Sequence, residues 1–205
     1  TANQIKSKID TLTQNIYQYV PSGLGVGGKF KLSEKDYLQV LTKGAEFLIS
    51  RGYGEKEDLE KIESFGKLTD ARADLVSETA KARGQSQLGT MGAGNHFVEV
   101  EFIETIFDEK IANDLGVFKN QVVILLHTGS RGLGHQVATD YIRAMMSSLA
   151  KYDIKLTDRE LACAPFNSDE GQNYFKAMSA AANYAWANRQ MITFEIRKVW
   201  QETFG

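Results

Sequence analysis

Two histidines stand beside glycine-rich turns in the middle of the sequence. His96 follows the run 89–94, which contains three glycines, and His127 directly precedes the run 128–134, which also contains three. Glycine-rich turns at strand ends are places where side chains can converge on a ligand while the strands hold them in position. Imidazole nitrogens are common ligands of divalent transition metals. The pattern predicts that His96 and His127 serve one ligand site, although either histidine alone would be interpreted as a buried residue hydrogen-bonded to backbone.

A metal site needs more ligands than these two. Protein-bound transition metals usually have at least four ligands, so two imidazoles do not complete a site. Asn95 and Glu99 flank His96 and are the nearest polar candidates in the sequence. A metal-dependent phosphoesterase that completes its ligand set with Asp or Glu side chains of this chain is therefore an open alternative.

Arg131 lies four residues after His127 and precedes a predicted helix. A guanidinium can contact two phosphate oxygens at once, and the N–H groups at the start of a helix also favour anions. Spacing alone equally allows an arginine that pairs with a surface carboxylate. His135 and Asp140, on the predicted helix, are expected to be structural or exposed. Cys163 has apolar neighbours and no histidine nearby, which predicts a buried, inert thiol.

The predicted elements combine helices with a few strands. Residues 95–103 alternate apolar and polar side chains, as in a strand with one buried face. Residues 121–126 are almost continuously apolar, which predicts a strand buried on both faces. Helical periodicity and capping signals predict helices over 3–19, 33–49, 55–64, 72–83, 135–150 and 168–203, and the glycine-rich run 21–28 is interpreted as a structural loop. We therefore expect an α+β fold in which helices surround a mixed sheet.

Composition indicates a folded globule of moderate size. The 205 residues are 42% hydrophobic and fit one domain, 1–205. With 24 basic and 26 acidic residues, the chain has no overall positive field, so any RNA site must be a local patch. A single cysteine and short apolar runs favour an intracellular, cytoplasmic protein without a membrane segment. The first residue is Thr1 rather than methionine, and we expect the sequence to be part of a longer protein.

Three segments resemble signatures of one enzyme family. Residues 87–99 read QLGTMGAGNHFVE, residues 127–137 read HTGSRGLGHQV, and residues 180–190 read AAANYAWANRQ. The first two resemble the paired glycine-rich signatures of RtcB RNA ligases, and the third is similar to the long helix of that family. The similarity extends through essentially the whole chain, which would then have an RtcB-like fold and form the central part of such a ligase.

The resemblance implies cofactors and roles for particular residues. RtcB ligases use two Mn²⁺ ions and GTP, and their motif histidines each bind one ion, which assigns His96 and His127 as metal ligands. The guanine nucleotide of the family lies along the first motif. The residues expected to contact it are Asn95, His96, Phe97, Val98 and Glu99. By the same carry-over Arg131 would face an RNA phosphate.

The reaction implied by the resemblance joins RNA ends. A histidine attacks the α-phosphate of GTP, and the GMP that it receives passes to an RNA 3'-phosphate made by opening a 2',3'-cyclic phosphate. A 5'-hydroxyl then attacks and expels GMP, as in tRNA splicing or RNA repair. Covalent catalysis of this kind divides one difficult step into easier ones. RNA is thus the expected partner, with an archease activator as a further one.

The chain also departs from the family pattern. The family's metal-binding aspartate and bridging cysteine lie in an upstream motif that residues 1–205 do not contain. A further metal-binding histidine and the guanylated histidine lie downstream of the matching region. No residue here can therefore be assigned as the catalytic nucleophile, and we expect the chain alone to bind manganese weakly and not to ligate. A non-catalytic RNA- or nucleotide-binding module is the alternative from another functional class.

Overall fold

The computed structural model describes residues 1–205 and is mainly helical, with one small sheet. The α-helices are α1 (Ala2–Ile5), α2 (Ile9–Tyr19), α3 (Glu34–Ser50), α4 (Glu78–Gln85), α5 (Glu109–Asp114), α6 (Arg131–Ser148) and α7 (Asp169–Phe204). The strands are β1 (Phe97–Phe102) and β2 (Val122–His127). No helix is both long and apolar enough to cross a membrane.

The helix predictions hold best where capping signals are strong. The helix predicted over 3–19 is formed by α1 and α2, joined by a 3-10 turn at Lys6–Lys8. At the start of α3, the Ser33 hydroxyl accepts the Asp36 N–H at 3.2 Å, as an N-cap residue does. The region 55–64 forms two 3-10 segments instead of one helix, and only the second half of the 72–83 region belongs to α4, after a 3-10 turn at Ala73–Leu75. Helix α6 begins at Arg131, four residues earlier than predicted.

The two strands form an antiparallel pair, which corrects the predicted mixed sheet. Phe97 pairs with His127 and Phe102 with Val122. Only one face packs against helices, through Val98, Val100, Ile124 and Leu126. The prediction that the second strand is buried on both faces is therefore wrong, and Leu125 on the other face is 47% exposed. A continuous apolar run does not reveal how many faces of a sheet are covered, because that depends on the neighbouring elements.

Two apolar clusters build the interior, and α7 contributes to both. The larger has 18 buried residues from α3, α4, α6, residues 177–191 of α7 and the segments between these helices. The smaller has 7 buried residues and joins α2, Met91 and the second half of α7 to the inner face of the sheet. Both glycine-rich turns are thus attached to elements that pack on the same long helix.

A glycine in α3 allows close packing between these elements. Gly44 has φ +56°, and a Cβ at this position would overlap the carbonyl oxygen of Gly66 and lie 3.4 Å from Cα of Asn183. A positive φ is unfavourable for residues with a side chain. The helix is therefore kinked at Gly44 where it meets α7.

Candidate metal and phosphate site

The two motif histidines lie next to each other at one end of the sheet. His127 ends β2, and its cross-strand partner Phe97 follows His96 directly. The imidazole centroids of His96 and His127 are 5.9 Å apart, and both residues are exposed. Nδ1 of His96 lies 2.9 Å from the Ala93 carbonyl oxygen. If Nδ1 donates a proton to that oxygen, Nε2 is left with a free lone pair for a ligand.

An open cleft of about 810 Å³ begins beside His96 and runs along the start of α6. Leu24 and Gly25, from the loop that follows α2, contribute to its wall. Its lining includes no aspartate or glutamate. The polar and charged side chains that line it are Arg83, Ser86, Gln87, His96, Ser130, Arg131 and His135. A wall with two guanidinium groups and no carboxylate favours an anionic ligand.

Arg131 is held in this wall by neutral acceptors. Nε donates to Thr90 Oγ1 and Nη2 to the Gly23 carbonyl oxygen, both at 3.0 Å. None of the six ion pairs of the structure includes Arg131, so the predicted alternative of a surface pair with a carboxylate is wrong. Partial burial lowers the pKa of the guanidinium, which nevertheless stays charged because its ordinary pKa is above 12. A half-buried charge without a counter-ion is suited to a phosphate.

The backbone at Arg131 adds a second sign of a specialised position. Its φ is +52°, a left-handed conformation that costs a residue with a side chain about 1 kcal/mol or more. The next residue, Gly132, gives its N–H to Gln87 Oε1 at 2.9 Å. One of the helix-start N–H groups expected to bind phosphate is thus already used within the protein.

Asn188 of α7 ties the two glycine-rich turns together. Its Oδ1 accepts the N–H groups of Gly89 at 2.7 Å and Thr90 at 3.2 Å. Its Nδ2 donates to the carbonyl oxygens of Thr90 and Gly129, both at 3.1 Å. The side chain is fully buried. Sequence analysis did not single out Asn188, although it lies in the third segment that resembles the family.

Gly92 lets the histidine and the arginine approach the same turn. A Cβ at this position would overlap His96 Nδ1 and lie 2.6 Å from Arg131 Nη1. Atoms of both side chains therefore lie close to the same side of Gly92, where there is no room for a methyl group. This contact links the histidine pair to the cationic cleft.

Arg189 and Thr128 lie behind the second turn. Nη1 of Arg189 donates to the Thr128 carbonyl oxygen at 3.0 Å, and burial lowers the pKa of this guanidinium. The Thr128 hydroxyl is buried and has no hydrogen-bond partner. An unpaired buried hydroxyl normally destabilises a protein. This one belongs to the residue directly after His127.

The residues expected to contact the nucleotide divide between two environments. His96, Phe97 and Val98 line a second, mainly apolar cleft of about 320 Å³, together with Tyr17 and other side chains. Asn95 and Glu99 are exposed and do not line it. The second cleft thus includes three of the five residues that were expected to contact the nucleotide.

The structure answers four smaller questions about chemistry. No group of three or more His, Cys, Asp or Glu side chains could hold a metal ion, which argues against the phosphoesterase alternative with a complete ligand set from this chain. Asp140 accepts hydrogen bonds from Ser77 and Gln136 and is structural. His135 is exposed as expected. Cys163 is exposed, so the prediction of a buried thiol is wrong. The segment between α6 and α7 lies on the surface although several of its side chains are apolar.

Comparison with known proteins gives a consistent result. The sequence model of a family described as tRNA-splicing ligase RtcB matches residues 1–205. Curated proteins named tRNA-splicing ligase RtcB are 54% identical in Methanocaldococcus jannaschii, 52% in Aeropyrum pernix and 50% in Methanococcus maripaludis, each over 204 residues. The matches cover 100% of this chain but 21%, 42% and 42% of those relatives. The chain thus spans less than half the length of each.

Proposed function

We propose that this chain, which belongs to the RtcB family of tRNA-splicing ligases, supplies the histidine pair and the phosphate-binding cleft of an RNA-ligation centre in a longer protein. The longer protein would join RNA 3'-phosphate or 2',3'-cyclic phosphate ends to 5'-hydroxyl ends, with GTP and manganese. The observation that carries the proposal is that His96, which is paired with His127, lines a cleft that contains Arg131 and no carboxylate.

The histidine pair fits a role as partial metal ligands. Two exposed imidazoles with centroids 5.9 Å apart can each offer a nitrogen to a divalent ion, in agreement with one histidine for each of two ions. The absence of a third ligating side chain nearby agrees with the expectation that other ligands come from outside residues 1–205. When bound, such ions would neutralise phosphate charge. Manganese affinity of this chain alone should therefore be weak.

The cleft fits the RNA phosphate of the reaction. Arg131 presents a charge that no protein carboxylate neutralises, and Arg83, Ser86 and Ser130 line the same wall. Because the hydrogen bonds to Thr90 and Gly23 fix the guanidinium, little side-chain entropy remains to be lost when a phosphate binds. The guanidinium would orient the RNA 3'-phosphate next to the histidine pair.

The apolar cleft at Phe97 and Val98 is the proposed position of the guanine nucleotide. Its ring and aliphatic side chains can contact a base, and His96 lies between this cleft and the cationic one. Asn95 and Glu99, which are adjacent in sequence to the lining residues His96 and Val98, would provide polar contacts. The three histidines of the chain include none assigned as the nucleophile, so transfer of GMP to protein is proposed to use a residue outside this chain.

Transfer of label from α-labelled GTP tests this division of roles. The chain is incubated with labelled GTP and manganese and then denatured, and label that remains on the protein is measured. We expect no stable covalent GMP adduct. An adduct would show that the nucleophile lies within residues 1–205 and would contradict the proposal.

A chimeric ligase tests the function itself. These 205 residues replace the matching segment of the Aeropyrum pernix relative, and joining of an RNA 3'-phosphate to a 5'-hydroxyl is measured with and without an archease activator. We expect ligation by the chimera, and its loss when His96→Ala or His127→Ala is introduced. A folded chimera that ligates equally well with both histidines replaced would refute the proposal.

A further inference from the structure

A second basic surface lies at the end of α2, apart from the cationic cleft. The ammonium groups of Lys29 and Lys198 lie 4.8 Å and 5.1 Å from the centroid of the Tyr19 ring. Both lysines are exposed and Tyr19 is half-buried. Three elements meet here, because Tyr19 ends α2, Lys29 follows the glycine-rich loop and Lys198 belongs to α7. We call Tyr19, Lys29 and Lys198 the basic surface.

The charges of this surface are positioned but not neutralised. Neither lysine takes part in any of the six ion pairs of the structure. A cation–π contact holds an ammonium group over an aromatic ring and leaves its full charge in place. Glu202 accepts a long hydrogen bond of 3.4 Å from the Tyr19 hydroxyl and forms no ion pair with either lysine. In a chain of net charge −2, two free cations on one ring form a local site for an anion.

A short loop joins the basic surface to the cationic cleft. Residues 20–28 begin directly after Tyr19 and end directly before Lys29. Within the loop, Gly23 accepts a hydrogen bond from Arg131, and Leu24 and Gly25 line the cleft. Four residues separate Tyr19 from Gly23 along the chain, and four extended residues span at most about 14 Å. A polyanion that leaves the cleft over this loop therefore meets the lysines after a few nucleotides.

We propose that the basic surface binds backbone phosphates of the RNA strand whose terminal phosphate lies in the cleft. This inference rests on the proposed function and extends it, since it assigns the path of the RNA away from the reacting end. Lysine suits such contacts, which need charge but no base recognition. The surface would thus strengthen binding of RNA of any sequence and would not affect a ligand too short to reach it.

Fluorescence anisotropy with RNAs of two lengths tests the proposal. The probes are a 3'-phosphorylated dinucleotide and a single-stranded 3'-phosphorylated RNA of about 12 nucleotides, which matches common single-strand site sizes. The variant Lys29→Gln/Lys198→Gln is compared with Lys43→Gln/Lys155→Gln, which removes the same charge from two exposed lysines elsewhere on the chain. Arg131→Gln serves as the variant of the cleft.

We expect the loss of Lys29 and Lys198 to weaken binding of the longer RNA roughly tenfold at low salt. The slope of log affinity against log salt should become less steep by about 1.4. Binding of the dinucleotide should be unaffected by this change and should be weakened by Arg131→Gln. The control pair should behave like the unchanged chain.

The outcomes separate this proposal from the proposed function. If the dinucleotide depends on Arg131 while the longer RNA is indifferent to Lys29 and Lys198, the basic surface is refuted and the cleft stands. If neither RNA binds the unchanged chain, both proposals fail. If polyglutamate binds as tightly as RNA and with the same dependence on the two lysines, the surface belongs to an acidic protein partner and the RNA path is refuted.

Discussion

The long helix α7 packs differently against the other helices, which together with α7 form what we call the helical body, and against the two-stranded sheet. In the body, α3, α6 and α7 surround 18 buried residues, and Asn183 of α7 fixes the segment at Leu68 through hydrogen bonds to its N–H and carbonyl groups. At the sheet, α7 covers one face only, and His96, His127 and Leu125 remain exposed. The chemistry-bearing side chains thus lie where packing is least complete.

This difference explains how exposed histidines can keep a fixed geometry. Met91 and Leu133 anchor the two glycine-rich turns in the apolar clusters, and the buried amide of Asn188 bonds to both turns. Buried hydrogen bonds of this kind are costly to break because the abandoned backbone groups cannot reach water. We therefore expect Asn183 and Asn188 to contribute similarly to stability and differently to phosphate binding, and this contrast can be tested.

Replacing Asn188 should have the largest effect. Asn188→Ala removes four hydrogen bonds and leaves buried backbone groups unpaired, so we expect a loss of about 3–5 kcal/mol in the free energy of unfolding. Urea denaturation measures this loss. Binding of a 3'-phosphorylated dinucleotide by the folded fraction should also fall, because the turn that carries Arg131 loses its anchor.

Asn183→Ala is the matched control for this prediction. Its side chain makes three hydrogen bonds, to Leu41 and Leu68, so the variant should also be destabilised by about 2–4 kcal/mol. Phosphate binding by its folded fraction should remain normal. Equal loss of phosphate binding in both variants would show that Asn188 acts through general stability only.

Replacing Gly92 should have the next largest effect, and mainly on the site. The added methyl group of Gly92→Ala would overlap His96 and crowd Arg131. We expect phosphate binding to weaken about tenfold or more and the free energy of unfolding to fall by about 1–3 kcal/mol. Gly129→Ala is the control, since a Cβ there meets nothing within 4 Å. Similar binding by the two variants would contradict the packing described for Gly92.

Lowering the pH should reduce the free energy of unfolding through protonation of Asp58. Hydrogen bonding to Arg197 lowers the pKa of Asp58 from 3.8 to about 2. Because the pKa is lower in the folded state, the stabilisation is complete above about pH 4 and is lost as the pH falls toward 2. It amounts to at most about 2 kcal/mol. Urea denaturation from pH 5 to about 2 should show this loss in the unchanged chain and a smaller one in Asp58→Asn.

Asp74 provides the comparison for Asp58. Arg72 lowers the pKa of Asp74 as well, but these two side chains are 60% and 61% exposed. Solvent screens such a pair. We therefore expect the free energy of unfolding of Asp74→Asn to fall in acid by nearly as much as that of the unchanged chain. A variant at Asp74 that removes as much of the pH dependence as Asp58→Asn would contradict this assignment.

The smallest expected effect is a gain in stability. Thr128→Val replaces a buried hydroxyl that has no partner by a methyl group of similar shape, and should raise the free energy of unfolding by about 1 kcal/mol. The backbone bond from Arg189 is retained, because it uses the carbonyl oxygen of residue 128. Thermal and urea denaturation check the change, and a clear destabilisation would show that the hydroxyl has a favourable contact.

Local signals in the sequence predicted much of this structure. The serine cap at Ser33, the proline after α2 and the long amphipathic C-terminal segment placed α1 to α3 and α7 well. The alternation in 95–103 located β1, and the glycine-rich turns indicated that His96 and His127 would meet. Apart from the meeting of His96 and His127, which depends on strand pairing, these features depend on neighbours within a few residues, which sequence patterns describe directly.

Features that depend on distant contacts were not predictable in the same way. Exposure of Leu125 and Cys163 depends on which surfaces α7 and its neighbours leave uncovered. The role of Asn188 arises from two turns about 60 and 100 residues away in sequence, and an asparagine in a helix carries no sign of such partners. The antiparallel pairing of the strands likewise followed from tertiary structure.

Manganese titration followed by electron paramagnetic resonance tests the central claim most directly, namely that His96 and His127 together form the divalent-metal ligands of this chain. We expect weak binding by the unchanged chain, at least about tenfold weaker binding by His96→Ala and by His127→Ala, and none measurable when both are replaced. His135→Ala should bind as the unchanged chain does. Undiminished manganese binding by the double variant, or equal loss in His135→Ala, would contradict the account.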